Sequence, residues 1–399
     1  MKFKRVSACL LAAAMAATLL AGCGSSGSSD AASTAASEAE TSAGGKETVT
    51  LWATGSDNVR AVYETLIEDF NTNSDYADQY QVELQFMLSG TGTQALTDML
   101  VAAAKANQTG TDYDIVDLSG DDLSKIVSQM GTEYLVELDD SKIPNAAGVS
   151  AESSVAPEFV QPFRGTTVVL AYDSEAVETP PTTFEELEAW MKENPGRFAY
   201  NQPGTGGAGD SFARTTVYNQ IADESAITSD DEAWTAEWDA GFAKLAELNE
   251  YMYESGGSHV YPAKNQGTLD LLNQGDIDMC PNWADMVLSQ RAAGTLKDTI
   301  KITQIDPSFT GSFQTLAIPT FGSHEDGAYA FIDYMLSEAA QTILVHDMAA
   351  IPLIDTTNID MEGYEDVASL DTSSFRIMSI GDLSTSFNER WDNEIATIG

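Results

Sequence analysis

Val59, Val62, Tyr63, Leu66, Ile67 and Phe70 recur at intervals of three and four residues, the spacing that keeps apolar side chains on one face of a helix. Residues 48–52 before them read as a strand, joined to that helix by the loop Thr54-Gly55-Ser56-Asp57. The same unit returns twice. Residues 82–87 are strand-like, Ser89-Gly90-Thr91-Gly92-Thr93 is a loop, and Leu96, Met99, Leu100 and Ala103 mark the next helix. Residues 113–118 form a third strand that turns through Ser119-Gly120 into a helix carrying Leu123, Ile126 and Val127. Alternation of this kind predicts a parallel sheet covered by helices.

Farther along, residues 166–172 are β-branched and apolar without interruption, which predicts a strand buried on both faces. Pro180-Pro181-Thr182-Thr183-Phe184-Glu185-Glu186-Leu187 predicts a loop and a helix start, with Thr183 or Thr182 as the N-cap. Helices are expected over 233–253, 268–273, 283–293, 326–337 and 339–347, and a strand over 313–319. No internal repeat is evident.

The beginning of the chain changes this picture. Lys2, Lys4 and Arg5 precede an apolar run over 6–20, which is shorter than the roughly 20 residues a membrane span needs. This is the layout of a signal peptide over residues 1–22. It closes on Leu20-Ala21-Gly22-Cys23, which resembles the bacterial lipobox, in which the cysteine thiol receives a diacylglycerol. The alternative is an ordinary signal peptide followed by a coincidental cysteine. From Gly24 to Lys46 there is no aromatic or large aliphatic residue, so the segment cannot offset its own conformational entropy. It is expected to be a flexible tether reaching roughly 25 to 30 Å.

Composition narrows the function further. The remaining 350 or so residues exceed one typical domain, and 43% hydrophobic content is ample for two cores. The net charge of −43 repels nucleic acid and anionic lipid, and losing the three basic residues of the signal makes it more negative still. Of the three cysteines, Cys9 leaves with the signal and Cys23 is acylated, so Cys280 is expected to be lone, buried and inert.

Four stretches in fixed order resemble the extracellular solute-binding proteins of ABC importers. They are Tyr113-Asp114-Ile115-Val116-Asp117-Leu118; residues 168–173 leading to Pro180-Pro181-Thr182-Thr183-Phe184-Glu185-Glu186-Leu187; Gln274-Gly275-Asp276-Ile277-Asp278-Met279 with Asn282-Trp283; and residues 318–337 continuing from Gln341 to Ile351-Pro352-Leu353. The likeness covers about 47–355. Pro195-Gly196-Arg197-Phe198-Ala199-Tyr200, with Ser211-Phe212-Ala213-Arg214, is similar to a branch near the thiamine, iron and polyamine binders. The resemblance implies a type II periplasmic-binding-protein fold: two α/β lobes, each a mostly parallel sheet flanked by helices, joined by hinge strands. It places lobe one at 47–163 plus about 312–345, and lobe two at 164–311 plus about 346–399. It also implies a monomer on the outer face of the cell membrane that hands a small polar solute to permease subunits driven by an ATPase, without a cofactor.

If that fold holds, several loops face one crevice. Trp52, Thr54 and Ser56 follow the first strand, Ser89, Thr91 and Thr93 the second, and Ser119 and Asp121 the third. Each group would serve equally as helix caps. The glycine run Gly204-Thr205-Gly206-Gly207-Ala208-Gly209-Asp210-Ser211 fits a dinucleotide fingerprint and nearly a phosphate loop, but Asp210 stands where lysine is required and no ribose-binding acid follows. What survives is a loop whose amides at Gly206 and Gly207, and a helix beginning near Ser211, could hold an anionic group, with Arg214 as a charged donor or paired to an acid. Tyr172 and Trp283 are candidate aromatic walls, equally at home in a core, and Asn282 and Asp285 flank Trp283.

Enzymatic readings lack support. His259, His324 and His346 have no metal-ligand spacing, no G-x-S-x-G elbow occurs, and Cys280 shows no sign of activation. A ligand-presenting sensor and an extracellular glycoside or ester hydrolase remain as the other readings.

Overall fold

The computed structural model describes residues 45–88 and 95–398. The expectations for Cys23, the signal segment, the tether and the loop residues Ser89, Thr91 and Thr93 lie outside the described residues.

The first part is built of the three expected units. Strand β1 (Glu47–Gly55) leads to helix α1 (Asp57–Asn73), β2 (Tyr80–Leu88) to α2 (Leu96–Lys105), and β3 (Ile115–Leu118) to α3 (Gly120–Met130). β1 pairs in parallel with β2, from Glu47 opposite Tyr80 to Gly55 opposite Leu88, and with β3 through Leu51 opposite Ile115. Period-two alternation sends Val49, Leu51 and Ala53 to one face, where they meet the Val62, Tyr63, Leu66, Ile67 and Phe70 stripe of α1.

The chain then crosses over in one 14-residue strand, β4 (Val160–Asp173). Next come α4 (Phe184–Glu193), α5 (Ala208–Tyr218), α6 (Asp239–Asn249), a small hairpin of β5 (Glu254–Ser255) and β6 (Ser258–His259), and α7 (Lys264–Gln274). β7 (Met279–Trp283), α8 (Ala284–Ala292), β8 (Ile300–Thr303) and β9 (Gly311–Ala317) follow, then α9 (Glu325–Met335), α10 (Glu338–Met348), β10 (Ile351–Pro352), α11 (Glu365–Ala368) and α12 (Leu383–Glu394). The first half of β4 runs antiparallel to β9, from Val160 opposite Ala317 to Thr167 opposite Gly311. Its second half pairs with β7 on one side and β8 on the other. Sequential β-α-β units stay parallel in β1 to β3, whereas the crossover strand and β9 run against their neighbours.

One strand therefore serves two cores. Phe163 on β4 belongs to the core of β1, α1, α9 and α10, while Val168 and Leu170, a few residues on, belong to a second core. In that second core Tyr200 and Phe212 pack with ring centroids 4.7 Å apart, and Trp238, Phe242, Phe387 and Trp391 close around them. This is the two-lobed type II arrangement. Met348 and Ala350 also pack in the first core.

Local chemistry explains the boundaries. Thr183 caps α4 in a reciprocal capping box with Glu186, accepting from the Glu186 amide at 3.1 Å. The helix expected over 233–253 is instead a 3-10 turn over Glu232–Glu237 followed by α6. Trp238 is drawn into the core, where its indole N–H reaches the Tyr218 hydroxyl at 3.3 Å, and Gly241 lets α6 approach α5 closely at Val217. Cys280 is fully buried on β7, and desolvation pushes its thiol up to about 12, so it carries almost no thiolate at neutral pH. Among the described residues no helix is long and apolar enough to cross a membrane, and no group of three acidic, His or Cys side chains could hold a metal.

Candidate functional site

The turn from β3 into α3 faces the first turns of α5. Ser119 caps α3, accepting from the Asp122 amide at 3.2 Å and donating to its carboxylate at 2.7 Å. Asp121, one residue farther, is close enough to Arg214 and Asp210 for their charges to act on its carboxyl. Burial pushes that carboxyl above the usual range, Arg214 pulls it down, and Asp122 and Asp210 push it up again. By accessible surface Asp121 is nevertheless exposed to solvent, which weakens the push from burial. Nearby, Ser124 of α3 and Ser379 meet hydroxyl to hydroxyl at 2.7 Å, a contact from the first core's helices to a segment of the second.

The glycine loop is held firmly. Asn201 accepts the Gly209 amide at 2.8 Å, and Asn265 accepts the Ala208 amide at 3.3 Å while donating to the Gly206 carbonyl at 2.6 Å. α5 begins at Ala208, three residues before the expected start, with Gly207 at φ 91° as its N-cap. The pole of that helix already has an internal anion. Asp210 accepts the Gly204 amide at 2.8 Å, faces Asn388 of α12 at 3.3 Å, and stands 3.6 Å from Arg214. Arg214 is 9% exposed, and its buried Nε has no partner, so Asp210 satisfies it only in part. Ser211 turns away from the loop and accepts the Thr310 amide at 2.7 Å.

Trp283, at the end of β7, lays its ring against Gly207 and donates its indole N–H to the Gly206 carbonyl at 2.9 Å. It joins the glycine loop as a wall. Asn282 is fully buried and spends its amide on the Asn265 carbonyl and the Thr268 hydroxyl, which braces β7 against α7. Tyr172 lies apart from this group: Val168 is the β4 residue opposite Trp283, and Tyr172 is opposite Met279 at the other end of β7. Trp52 packs against Tyr113 with the rings tilted by 41° and centroids 5.0 Å apart, and donates to the Asp112 carbonyl at 3.0 Å. Thr54 is half-buried at the end of β1, and Ser56 bonds Asn58 without capping α1.

A second polar cluster joins the candidate Asp285 to Arg164 and Asp117, which the sequence alone did not propose for the site. Arg164 on β4 is 7% exposed, and it lies near Asp117 at the end of β3 and near Asp285 in the first turn of α8. Gln314, opposite Arg164 on β9, donates to Asp117 at 2.6 Å. Desolvation pushes the Asp117 carboxyl up to about 6 against the pull of Arg164, the Tyr63 hydroxyl and Gln314, and burial likewise raises Asp285. An arginine at the head of an apolar strand is a charge bound for the interior, which is the signal that could have flagged it.

Polar groups from two α/β lobes that share a crossover strand, gathered at their junction, define a solute-binding protein of the two-lobed kind. The chain belongs to the bacterial extracellular solute-binding protein family, whose sequence profile matches residues 67–366. No curated protein matches it in sequence. Solved structures agree in fold. An extracellular solute-binding protein from Bordetella parapertussis superposes with a TM-score of 0.64 at 14% identity, over 88% of this chain and 99% of that one. A Trichodesmium protein in complex with iron and citrate gives 0.62 at 13%, over 88% and 100%. A spermidine/putrescine ABC transporter substrate-binding protein from Streptococcus pneumoniae gives 0.61 at 15%, over 88% and 99%.

Proposed function

We propose that this protein is a lipid-anchored extracellular receptor that binds a small polar solute between its lobes and delivers it to the permease of an ABC importer. The observation that carries the reading is Asp121 of α3 lying within electrostatic reach of Asp210 and Arg214 of α5, so that ionisable groups on helices of both lobes sense one another. Family membership supports it, and solved structures of the same fold include a spermidine/putrescine ABC transporter substrate-binding protein and a protein in complex with iron and citrate. In this reading the lobes divide at about 163/164, 311/312 and 345/346. β4 and β9 are the hinge, and their bending closes the crevice over solute.

A solute that binds only the folded receptor raises its apparent stability. A thermal-shift screen over amino acids, sugars, polyamines, phosphonates and ferric citrate is expected to give a hit whose affinity falls roughly tenfold or more in Arg214→Ala, the cost of removing one charge-assisted partner. An unchanged affinity would place the solute elsewhere. Anchoring is tested separately: Cys23→Ser is expected to move the protein from the membrane fraction to the medium or the unbound fraction, and retention in the membrane would contradict the lipid.

A further inference from the structure

At the hinge end of the crevice the chain leaves charge without a partner. Among the described residues the Arg164 guanidinium makes no hydrogen bond and no ion pair; it lies 5.7 Å from the Phe163 ring and feels Asp117 and Asp285 only at longer range. Asp117 Oδ2 and Tyr63 Oη are buried side by side without a well-formed hydrogen bond to any group. These groups, with Asp285, come from four elements of both lobes and converge beside the crossover. Burying charge without compensation is strongly unfavourable, so a folded chain keeps such a group where something else completes it.

We propose that this cluster is a subsite for a small zwitterion, with Arg164 receiving the carboxylate of an amino acid and Asp117 and Asp285 receiving its ammonium. The proposal rests on the receptor reading above and names its solute class. Charge balance selects the class. A purely anionic solute would add a negative charge beside Asp117 and Asp285, and a purely cationic one would leave Arg164 bare. A zwitterion gives each charge a partner. Gln314 takes Asp117 Oδ1, and Oδ2, beside the Tyr63 hydroxyl, has no well-formed hydrogen bond of its own.

The test is calorimetric titration of the full chain with α- and ω-amino acids, the matched amines lacking the carboxylate and the matched acids lacking the amine, alongside sugars, polyamines and ferric citrate. An amino acid is expected to bind, with each half-ligand weaker by roughly thirtyfold or more, and Arg164→Gln is expected to lose a similar factor. Asp117→Asn should weaken amino-acid binding yet raise the melting temperature of the ligand-free protein, because it removes a buried charge; a purely structural role would not separate the two. Should Arg164→Gln fail to fold, the half-ligand comparison on the unaltered chain decides. If a sugar, polyamine or ferric complex binds tightest and Arg164→Gln leaves its affinity unchanged, the zwitterion subsite is overturned while the receptor reading stands. If no compound binds, the receptor reading fails and the subsite with it.

Discussion

Ser124→Cys combined with Ser379→Cys is expected to lock the crevice under oxidising conditions and to abolish solute binding until reductant is added. The two hydroxyl oxygens already stand 2.7 Å apart, so a bridge of about 2.05 Å between sulfurs needs only a small approach. Because the bond closes a loop of 255 residues, the chain-entropy account gives the oxidised form about 5 kcal/mol of added stability. A receptor that must open to admit solute cannot do so through a covalent clasp between α3 and the segment at Ser379. Cys280 will not scramble the bridge, since its thiol is buried and protonated. The comparison is a binding isotherm on oxidised and reduced samples, with both single variants as controls. Equal binding in the oxidised and reduced double variant would show that solute enters by another route.

The second large effect is expected at Gly209, where alanine should destabilise the fold by about 3 kcal/mol or more. A Cβ there would stand 1.7 Å from the Asn201 carbonyl oxygen and 2.7 Å from its carbon, both backbone atoms with little freedom to yield. α5 cannot back away, because every one of its residues is buried. Moving Asn201 would break its acceptance of the Gly209 amide and loosen the loop that Trp283 rests on. Gly148→Ala is the control, since a Cβ there meets nothing within 4 Å. Equal melting temperatures for the two variants would contradict this account of the loop.

How much of this was legible in the sequence depended on whether a side chain's role is local. The β-α units over residues 47–130 and the Thr183 cap were readable because periodicity and capping are properties of neighbours in sequence. The first half of β4 was not, because Gln161-Pro162-Phe163-Arg164 shows no alternation and carries a proline; the ladder tolerates it through a register shift between Pro162 and Arg164. Asp121 lies within electrostatic reach of Arg214 and Trp283 rests on the glycine loop, whereas Tyr172 falls at the far end of β7 because register, not composition, sets its place. Arg164 and Asp117 escaped because their meaning depends on β9, about 200 residues beyond Asp117, lying between them. The pairing of Arg214 with Asp210 was open in the sequence, and the geometry makes it a loose contact rather than a closed one.

The strand order β10-β4-β9-β3-β1-β2 inserts β9 between β3 and β4, strands that precede it by well over a hundred residues. Until residues 311–317 are available, the first-lobe strands have an open seam and Asp117 has no Gln314 to meet. Loop closure over such separations is slow relative to local helix formation. For an extracellular protein this delay is useful during biogenesis. In the exported receptor proposed above, the ribosome must deliver about three quarters of the chain before either half of the body can seal, which would keep the nascent polypeptide threadable through a translocation channel.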